Sequence, residues 1–184
     1  KLKYVVGARG SKLSIAQTNW IVSELKKVNP DCEYEIKPIT TKGDTDTRPL
    51  FAIDQKGIFE KEIDRAVAEK EVDFAVHSLK DVPSELADNL IIASIPKREK
   101  VNDVFISSDG SSLDEIKAGS VIGTSSLRRA VQVSRKRSDV VVKPIRGNIE
   151  TRIKKTSEEN YDAIVLAQAG ISRLGVDIQS TFLS

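Results

Sequence analysis

The chain carries one cysteine, Cys32, one histidine, His77, and no methionine. A lone cysteine excludes an intramolecular disulfide and a cysteine-built zinc cluster. A lone histidine argues against a histidine-built metal centre and a conventional Ser-His-Asp triad, so no metal is expected. No apolar run is long enough to span a bilayer, and the start is not signal-like. The reading is therefore a soluble, cytoplasmic protein without a membrane partner. Aromatics make up only 5% of residues, and 29 basic residues face 27 acidic ones, so no global field favours nucleic acid or anionic membrane. The absence of methionine gives the expectation that Lys1 is not the translated start.

What is present is an alternation of strand and helix patterns over 184 residues, enough for one domain or two small ones. Residues 4–6, 34–39, 74–76 and 90–95 read as strands. Ser11 is placed to cap a helix bearing Leu13, Ala16, Trp20, Ile21 and Leu25, and Gly57 to open one bearing Phe59, Ile63, Ala66 and Val67. The charged run Pro96-Lys97-Arg98-Glu99-Lys100 reads as a crossover, after which the pattern restarts. Strands are expected at 104–106, 120–122, 140–142 and 163–166, with helices beginning near Ser112, Ser126, Asn148 and Ala169. The expected architecture is α/β, with a first lobe over residues 1–98 and a second over 99–184. Two lobes joined by a hinge commonly close on a ligand.

The most informative segment is Ala75-Val76-His77-Ser78-Leu79-Lys80-Asp81-Val82-Pro83. An apolar strand ends there in polar and charged residues, and α/β folds bind ligands at the carboxyl ends of their strands. Asp81 is suited to stabilise a cation and Lys80 to hold an anion; the alternative is a solvated ion pair at a strand end. His77 is given a structural role. Gly123-Thr124-Ser125-Ser126-Leu127-Arg128-Arg129 is the clearest anion-ready turn, since small residues let backbone N–H groups approach a ligand at a helix N-terminus. Two arginines in a first helical turn oppose the helix dipole unless something negative lies nearby. Arg9, Lys56, Lys80, Arg128, Arg129, Arg146, Arg152 and Arg173 all fall near strand ends. Arginine suits bidentate carboxylate binding, so the ligand is expected to carry several carboxylates or phosphates. Neither Gly-x-Gly-x-x-Gly nor a phosphate-loop lysine motif occurs, which argues against a dinucleotide or nucleoside triphosphate. Ser134-Arg135-Lys136-Arg137 reads as a solvated helix end, and Asp44 as a turn residue.

These motifs resemble hydroxymethylbilane synthase, also called porphobilinogen deaminase. The resemblance rests on Gly7-Ala8-Arg9-Gly10-Ser11, Lys42-Gly43-Asp44, Lys56-Gly57-Ile58-Phe59, His77-Ser78-Leu79-Lys80-Asp81-Val82-Pro83, Gly123-Thr124-Ser125-Ser126-Leu127-Arg128-Arg129 and Arg146-Gly147-Asn148, in the family's order. It implies a transferase of tetrapyrrole (haem) biosynthesis that condenses four porphobilinogen units head to tail with release of ammonia, on a covalent dipyrromethane primer. Each pyrrole carries an acetate and a propionate, which accounts for the arginines. Asp81 matches the catalytic aspartate, opposite positive charge that develops over pyrrole nitrogens. Arg9, Ser11, Lys80, Arg128, Arg129, Arg146 and Arg152 match carboxylate-holding positions. Thr124, Ser125, Ser126, Gly147 and Asn148 match loops lining the site, Lys56 and Phe59 the loop over it, and Arg173 a basic position beside the growing chain. A lysine often seen four residues before Lys56 is Ala52 here.

The fold implied is two lobes resembling type-2 periplasmic binding proteins, with mixed sheets and an active-site cleft between the lobes. The family's third domain carries the cysteine that holds the primer. Cys32 does not match it, so that domain is expected to be absent from this chain and sustained activity of the chain alone to be low. The tail from 176 onward is then expected to pack poorly, and the chain to be monomeric. Two rivals remain: a two-lobed receptor for polycarboxylates, which gains nothing from a carboxylate at Asp81, and a nucleic-acid binder using residues 128–137, which balanced net charge disfavours.

Overall fold

A computed structural model of the chain describes residues 1–45, 58–158 and 161–183. Lys56 and Gly57, an expected site residue and an expected helix start, lie outside the described residues. The chain divides into two compact units, Lys1–Pro96 and Lys97–Ser184.

In the first unit, β1 (Lys3–Arg9) lies between β2 (Glu33–Ile39) and β3 (Phe74–Ala75), and all three are parallel. The long helix α1 (Lys12–Val28) links β1 to β2, the one-turn α2 (Lys42–Thr45) follows β2, and α3 (Lys61–Ala68) precedes β3. Ser11 caps α1 as expected, its Oγ accepting from Ser14 N. Val6, Ala8, Val22, Ile63, Ala66 and Val72 supply the core of this unit. Parallel pairing brings the carboxyl ends of all three strands to one edge, with Arg9 level with Ile39 and the turn after Ala75 beside them.

Residues 90–95 were expected to form a strand, but they take no regular structure. Ile91, Ile92 and Ile95 are 85%, 48% and 67% exposed. The run has the apolar content of a strand but no partner among the described residues, and an unpaired extended segment gains no ladder. Phe59 lies in a turn ahead of α3 rather than on the helix face.

The second unit holds a mixed sheet ordered β6-β5-β7-β4-β8 among the described residues. Its strands are β4 (Asp103–Ser107), β5 (Val121–Gly123), β6 (Val141–Lys143), β7 (Ala163–Ala167) and β8 (Thr181–Leu183). The helices are α4 (Leu127–Lys136), α5 (Ile149–Glu158) and α6 (Gln168–Leu174). β4 runs antiparallel to both β7 and β8, whereas β5, β6 and β7 are mutually parallel. The antiparallel strand is therefore the one that enters this unit. Alternating side chains feed two cores on opposite sheet faces: Phe105 and Val165 with Leu113, Ile116 and Val133, and Val104, Ile106, Ile164 and Leu166 with Ile145. Each such aliphatic or aromatic side chain contributes about 1.5–3 kcal/mol when fully buried.

Three expectations for this unit change. The helix near Ser112 is a single turn: Ser112 donates its N–H and Oγ–H to Glu115, but Gly119 reverses the chain at φ +80° before a second turn forms. The tail does pack, because β8 pairs with β4 and Leu183 joins the core. Arg137 is not a solvated helix end. Its guanidinium donates to the carbonyls of Leu113 (2.7 Å) and Ile116 (2.8 Å) and pairs with Asp139, stapling the 113–116 turn to the end of α4. No described helix is long and apolar enough to cross a membrane.

Candidate active site

The carboxyl edge of the first sheet gathers the charged residues of the first unit. After β3 the chain turns through a short 3₁₀ segment, Leu79–Asp81, in which Asp81 N donates to Ser78 O (2.9 Å). Asp81 is thereby held with its side chain 20% exposed, while Lys80, 77% exposed, reaches back to its Oδ1 at 2.6 Å. Ser78 Oγ donates to Gln17 Oε1 on α1 (2.9 Å), tying the turn to the long helix. Arg9 at the end of β1 donates through Nε to Asp44 Oδ1 (3.2 Å) and lies 4.2 Å above the Phe59 ring. Gly43 makes this stack possible, since a Cβ there would sit 2.3 Å from the ring. Asp44 also accepts from Thr41 N and Oγ1, the turn role expected of it. Burial pushes Asp44 up, but the bonds from Arg9 and Thr41 outweigh it and hold the carboxyl below its ordinary value. Arg9, Phe59 and Asp44 thus form one packed group, and Lys80 with Asp81 a second on the same edge.

Behind Asp81 lies a feature that the sequence reading missed. Glu60, 5% exposed, precedes α3, and Asp64 follows one turn later. His77 Nε2 is 3.5 Å from Asp64 Oδ1 but has no hydrogen-bond partner among the described residues. Burial, reinforced by the charges of Asp64 and Asp81, pushes the Glu60 carboxyl above its ordinary value. Folding raises the pKa, so the cost is absent below the unfolded value, develops as pH rises through it, and is complete above the folded value. Glu60→Gln should therefore raise the melting temperature by a few degrees near pH 7 and give no gain at strongly acid pH. Thermal melts across that range check it, and a gain independent of pH would exclude ionisation as the cause.

In the second unit, β5 delivers Thr124, Ser125 and Ser126 to the start of α4. Their hydroxyls are occupied by groups of this same unit. Thr124 Oγ1 accepts from Ser126 N (3.2 Å), Ser125 Oγ donates to Ile145 O (2.6 Å), and Ser126 Oγ caps α4 by accepting from Arg129 N (3.4 Å). Arg128 is exposed. Arg129 forms a two-point pair with Asp103, Nε to Oδ2 at 2.9 Å and Nη2 to Oδ1 at 2.6 Å. The antiparallel sense of β4 explains this: its first residue, Asp103, stands opposite Ala167, the last of β7, on the edge where β5 hands over to α4. The negative group that two arginines at a helix start call for is thus supplied by the chain itself.

The turn after β6 carries Arg146, Gly147 and Asn148. Asn148 Oδ1 accepts from Thr151 N (2.8 Å) at the start of α5, and Arg152 Nε donates to Gly147 O (2.7 Å). Burial, then the like charges of Arg129 and Arg146, pull the Arg152 guanidinium below its ordinary value, placing the three arginines in one electrostatic neighbourhood. Arg173, half-buried, lies on α6. Cys32 stands apart from all of these. It precedes β2, at the amino edge of the first sheet, and lines a cavity of about 230 Å³ with Tyr4, Leu25, Asn29, Tyr34 and Phe74.

Solved structures share this architecture. The probable amino-acid ABC transporter extracellular-binding protein ytmK from Bacillus subtilis aligns over 100% of this chain and 79% of its own, with TM-score 0.56 and 10% identity. An OxyR2 regulatory domain from Vibrio vulnificus aligns over 99% and 80%, with TM-score 0.53 and 12% identity. The fold is that of the type-2 periplasmic binding proteins. In sequence, the chain is 82% identical over 183 residues to a probable porphobilinogen deaminase of Nitrosopumilus maritimus, matching 100% of the chain and 59% of that protein. It is 52% identical over 176 residues to a porphobilinogen deaminase of Listeria monocytogenes, 95% of the chain and 57% of that protein. The chain thus spans less than two thirds of the length of these relatives. The family model described as "Porphobilinogen deaminase, dipyromethane cofactor binding domain" matches residues 4–184, and the chain belongs to that family.

Proposed function

We propose that this chain forms the part of a hydroxymethylbilane synthase that binds pyrrole carboxylates and handles the charge of porphobilinogen condensation. The observation that carries the reading is Asp81, a mostly buried carboxylate fixed by a 3₁₀ turn at the carboxyl edge of the first sheet. A receptor for polyanions has no use for that group. An enzyme that generates positive charge on pyrrole nitrogens does, because a carboxylate fixed in advance stabilises the developing charge without reorganising. Asp81 also serves to accept and return the pyrrole N–H proton. Lys80 pairs with it at rest and is exposed enough to turn toward a ligand carboxylate.

In the second unit, Arg129, Arg146 and Arg152 fit the acetate and propionate groups of a pyrrole chain, and Arg128 and Arg173 extend that basic surface. Thr124, Ser125, Ser126, Gly147 and Asn148 shape the loops that carry these arginines. In the first unit, Arg9 ends β1 and Ser11 caps α1, with Phe59 under Arg9 and Lys56 assigned by the family motif. The same guanidinium set fits a dipyrromethane as carboxylate holder; when bound, that group supplies the pyrrole carbon to which the next unit is joined. Cys32 does not fit as its anchor, since it opens at the opposite edge of the first sheet from Asp81. We assign the protein to the cytoplasm, as a monomer without nucleic-acid partners.

The test measures porphobilinogen consumption and ammonia release by the protein in which this chain is joined to the family's third, cofactor-attaching domain, with intact mass recorded on the same sample. One ammonia per porphobilinogen consumed, with a linear tetrapyrrole product, is the expected result. Binding of polycarboxylates with no consumption of porphobilinogen would instead identify a receptor.

A further inference from the structure

The Arg129–Asp103 pair has the geometry of a ligand already bound. Both nitrogens of one edge of the guanidinium donate to the two oxygens of the carboxylate, at 2.9 and 2.6 Å, with the two side chains only 17% and 18% exposed. This is the fork-to-fork contact that an arginine makes with a substrate carboxylate. It sits at the start of α4, within electrostatic reach of Arg152, which also feels Arg146. Asp103 is held there firmly: its strand pairs along its length with β7, and Gln168 N donates to the carbonyl of Asn102 next to it (3.0 Å). A ligand carboxylate that takes the Arg129 fork must therefore replace an equivalent group rather than fill an empty site.

We propose that Asp103 is an internal carboxylate that occupies the Arg129 fork and yields it to a ligand carboxylate, making this an exchange site and not a permanent anchor. The proposal rests on the reading of the second unit as a carboxylate-binding surface. Exchange conserves two charge-assisted hydrogen bonds, so the site keeps its shape whether filled by Asp103 or by ligand. Its cost is affinity, because a ligand meets a competent fork only in the fraction of molecules where Asp103 has let go. Its benefit is release: a returning Asp103 competes for the fork and lets a carboxylate-bearing chain move on. Asp103 is thus a positioning residue that acts through Arg129.

The test compares Asp103→Asn with the unaltered protein for binding of two probes, porphobilinogen and citrate. Asparagine keeps the shape but surrenders the charge. The expected result is affinity about tenfold tighter for both probes, carried by slower dissociation, together with a lower melting temperature. A merely structural pair would lose affinity and stability together. The gain should disappear in Asp103→Asn/Arg129→Lys, because lysine presents no fork. Affinity unchanged or weakened for both probes overturns the proposal. If porphobilinogen binds both proteins equally, exchange is wrong while the substrate assignment survives. If citrate shows the gain and porphobilinogen binds neither protein, exchange stands and the substrate assignment fails. Should the asparagine variant not fold, the ¹³C resonance of the Asp103 carboxylate in the unaltered protein decides, because displacement strips it of both guanidinium bonds. It should shift on saturation with citrate, and a stationary resonance overturns the exchange.

Discussion

Asp81→Asn should abolish condensation in protein that joins this chain to the family's third domain, lowering the rate by about 10³-fold or more, while porphobilinogen binding stays the same or tightens. The reasons are local. The 3₁₀ turn that places residue 81 depends on a backbone bond, Asp81 N to Ser78 O, which asparagine keeps. The substitution therefore changes charge and leaves position intact. Lys80 loses the negative charge of its partner at 2.6 Å, so its ammonium turns more readily to a ligand carboxylate and binding is not expected to suffer. On the proposed reading, what is lost is a fixed negative charge opposite the pyrrole nitrogens, a contribution that differs between ground state and transition state. Separate measurement of porphobilinogen affinity and turnover tests this. A turnover rate equal to that of the unaltered protein would remove Asp81 from the chemistry. A fall in affinity that matched the fall in rate would make it a binding residue. The Glu60 carboxyl offers an independent check. Asp81 is one of the charges that push it up, so its titration should move toward the ordinary value in the variant.

The sequence showed most of the strands because each is a compact apolar run bounded by turn residues. Val104-Phe105-Ile106 and Ala163-Ile164-Val165-Leu166 are buried on both faces and read as such. Ser11, Ser126 and Asn148 were legible as helix starts because their side chains cap by local geometry alone. What failed depended on partners distant in sequence. Residues 90–95 have strand composition, but pairing decides a strand, and no neighbour supplies it among the described residues. The 112–116 segment opens with a helix signal that Gly119 cancels a turn later. Asp103 was invisible for a related reason. An aspartate before an apolar run looks like a solvated strand start, and only the antiparallel sense of β4 carries it to the edge where Arg129 waits. Glu60 and Asp64 are spaced one helical turn apart, a signal present in the sequence. Their meaning needed the turn after β3 to bring His77 and Asp81 against them.

Gly147→Ala should cost about 3 kcal/mol of stability in the second unit and weaken carboxylate binding beyond what that loss explains. Two separate penalties meet at this residue. Its φ of +115° lies where L side chains are rarely found, and holding alanine there costs about 1–3 kcal/mol. The added Cβ would also stand 2.7 Å from Cγ2 and 2.9 Å from Cβ of Thr151 in the first turn of α5, an overpacking worth a further ~1–3 kcal/mol. The two can be told apart. Thr151→Ser removes Cγ2 alone, so the double variant Gly147→Ala/Thr151→Ser should regain part of the overpacking cost and none of the backbone strain. The link to binding runs through the carbonyl of Gly147, which accepts from Arg152 Nε at 2.7 Å and fixes that guanidinium beside Arg129 and Arg146. Turning the peptide to relieve alanine moves the carbonyl and leaves Arg152 free to drift from its like-charged neighbours, which lowers the local charge density that a carboxylate meets. Porphobilinogen affinity should fall about tenfold at a temperature where the variant is still fully folded. Equal affinity in the folded variant would detach Arg152 from the binding surface and leave Gly147 with a purely structural role.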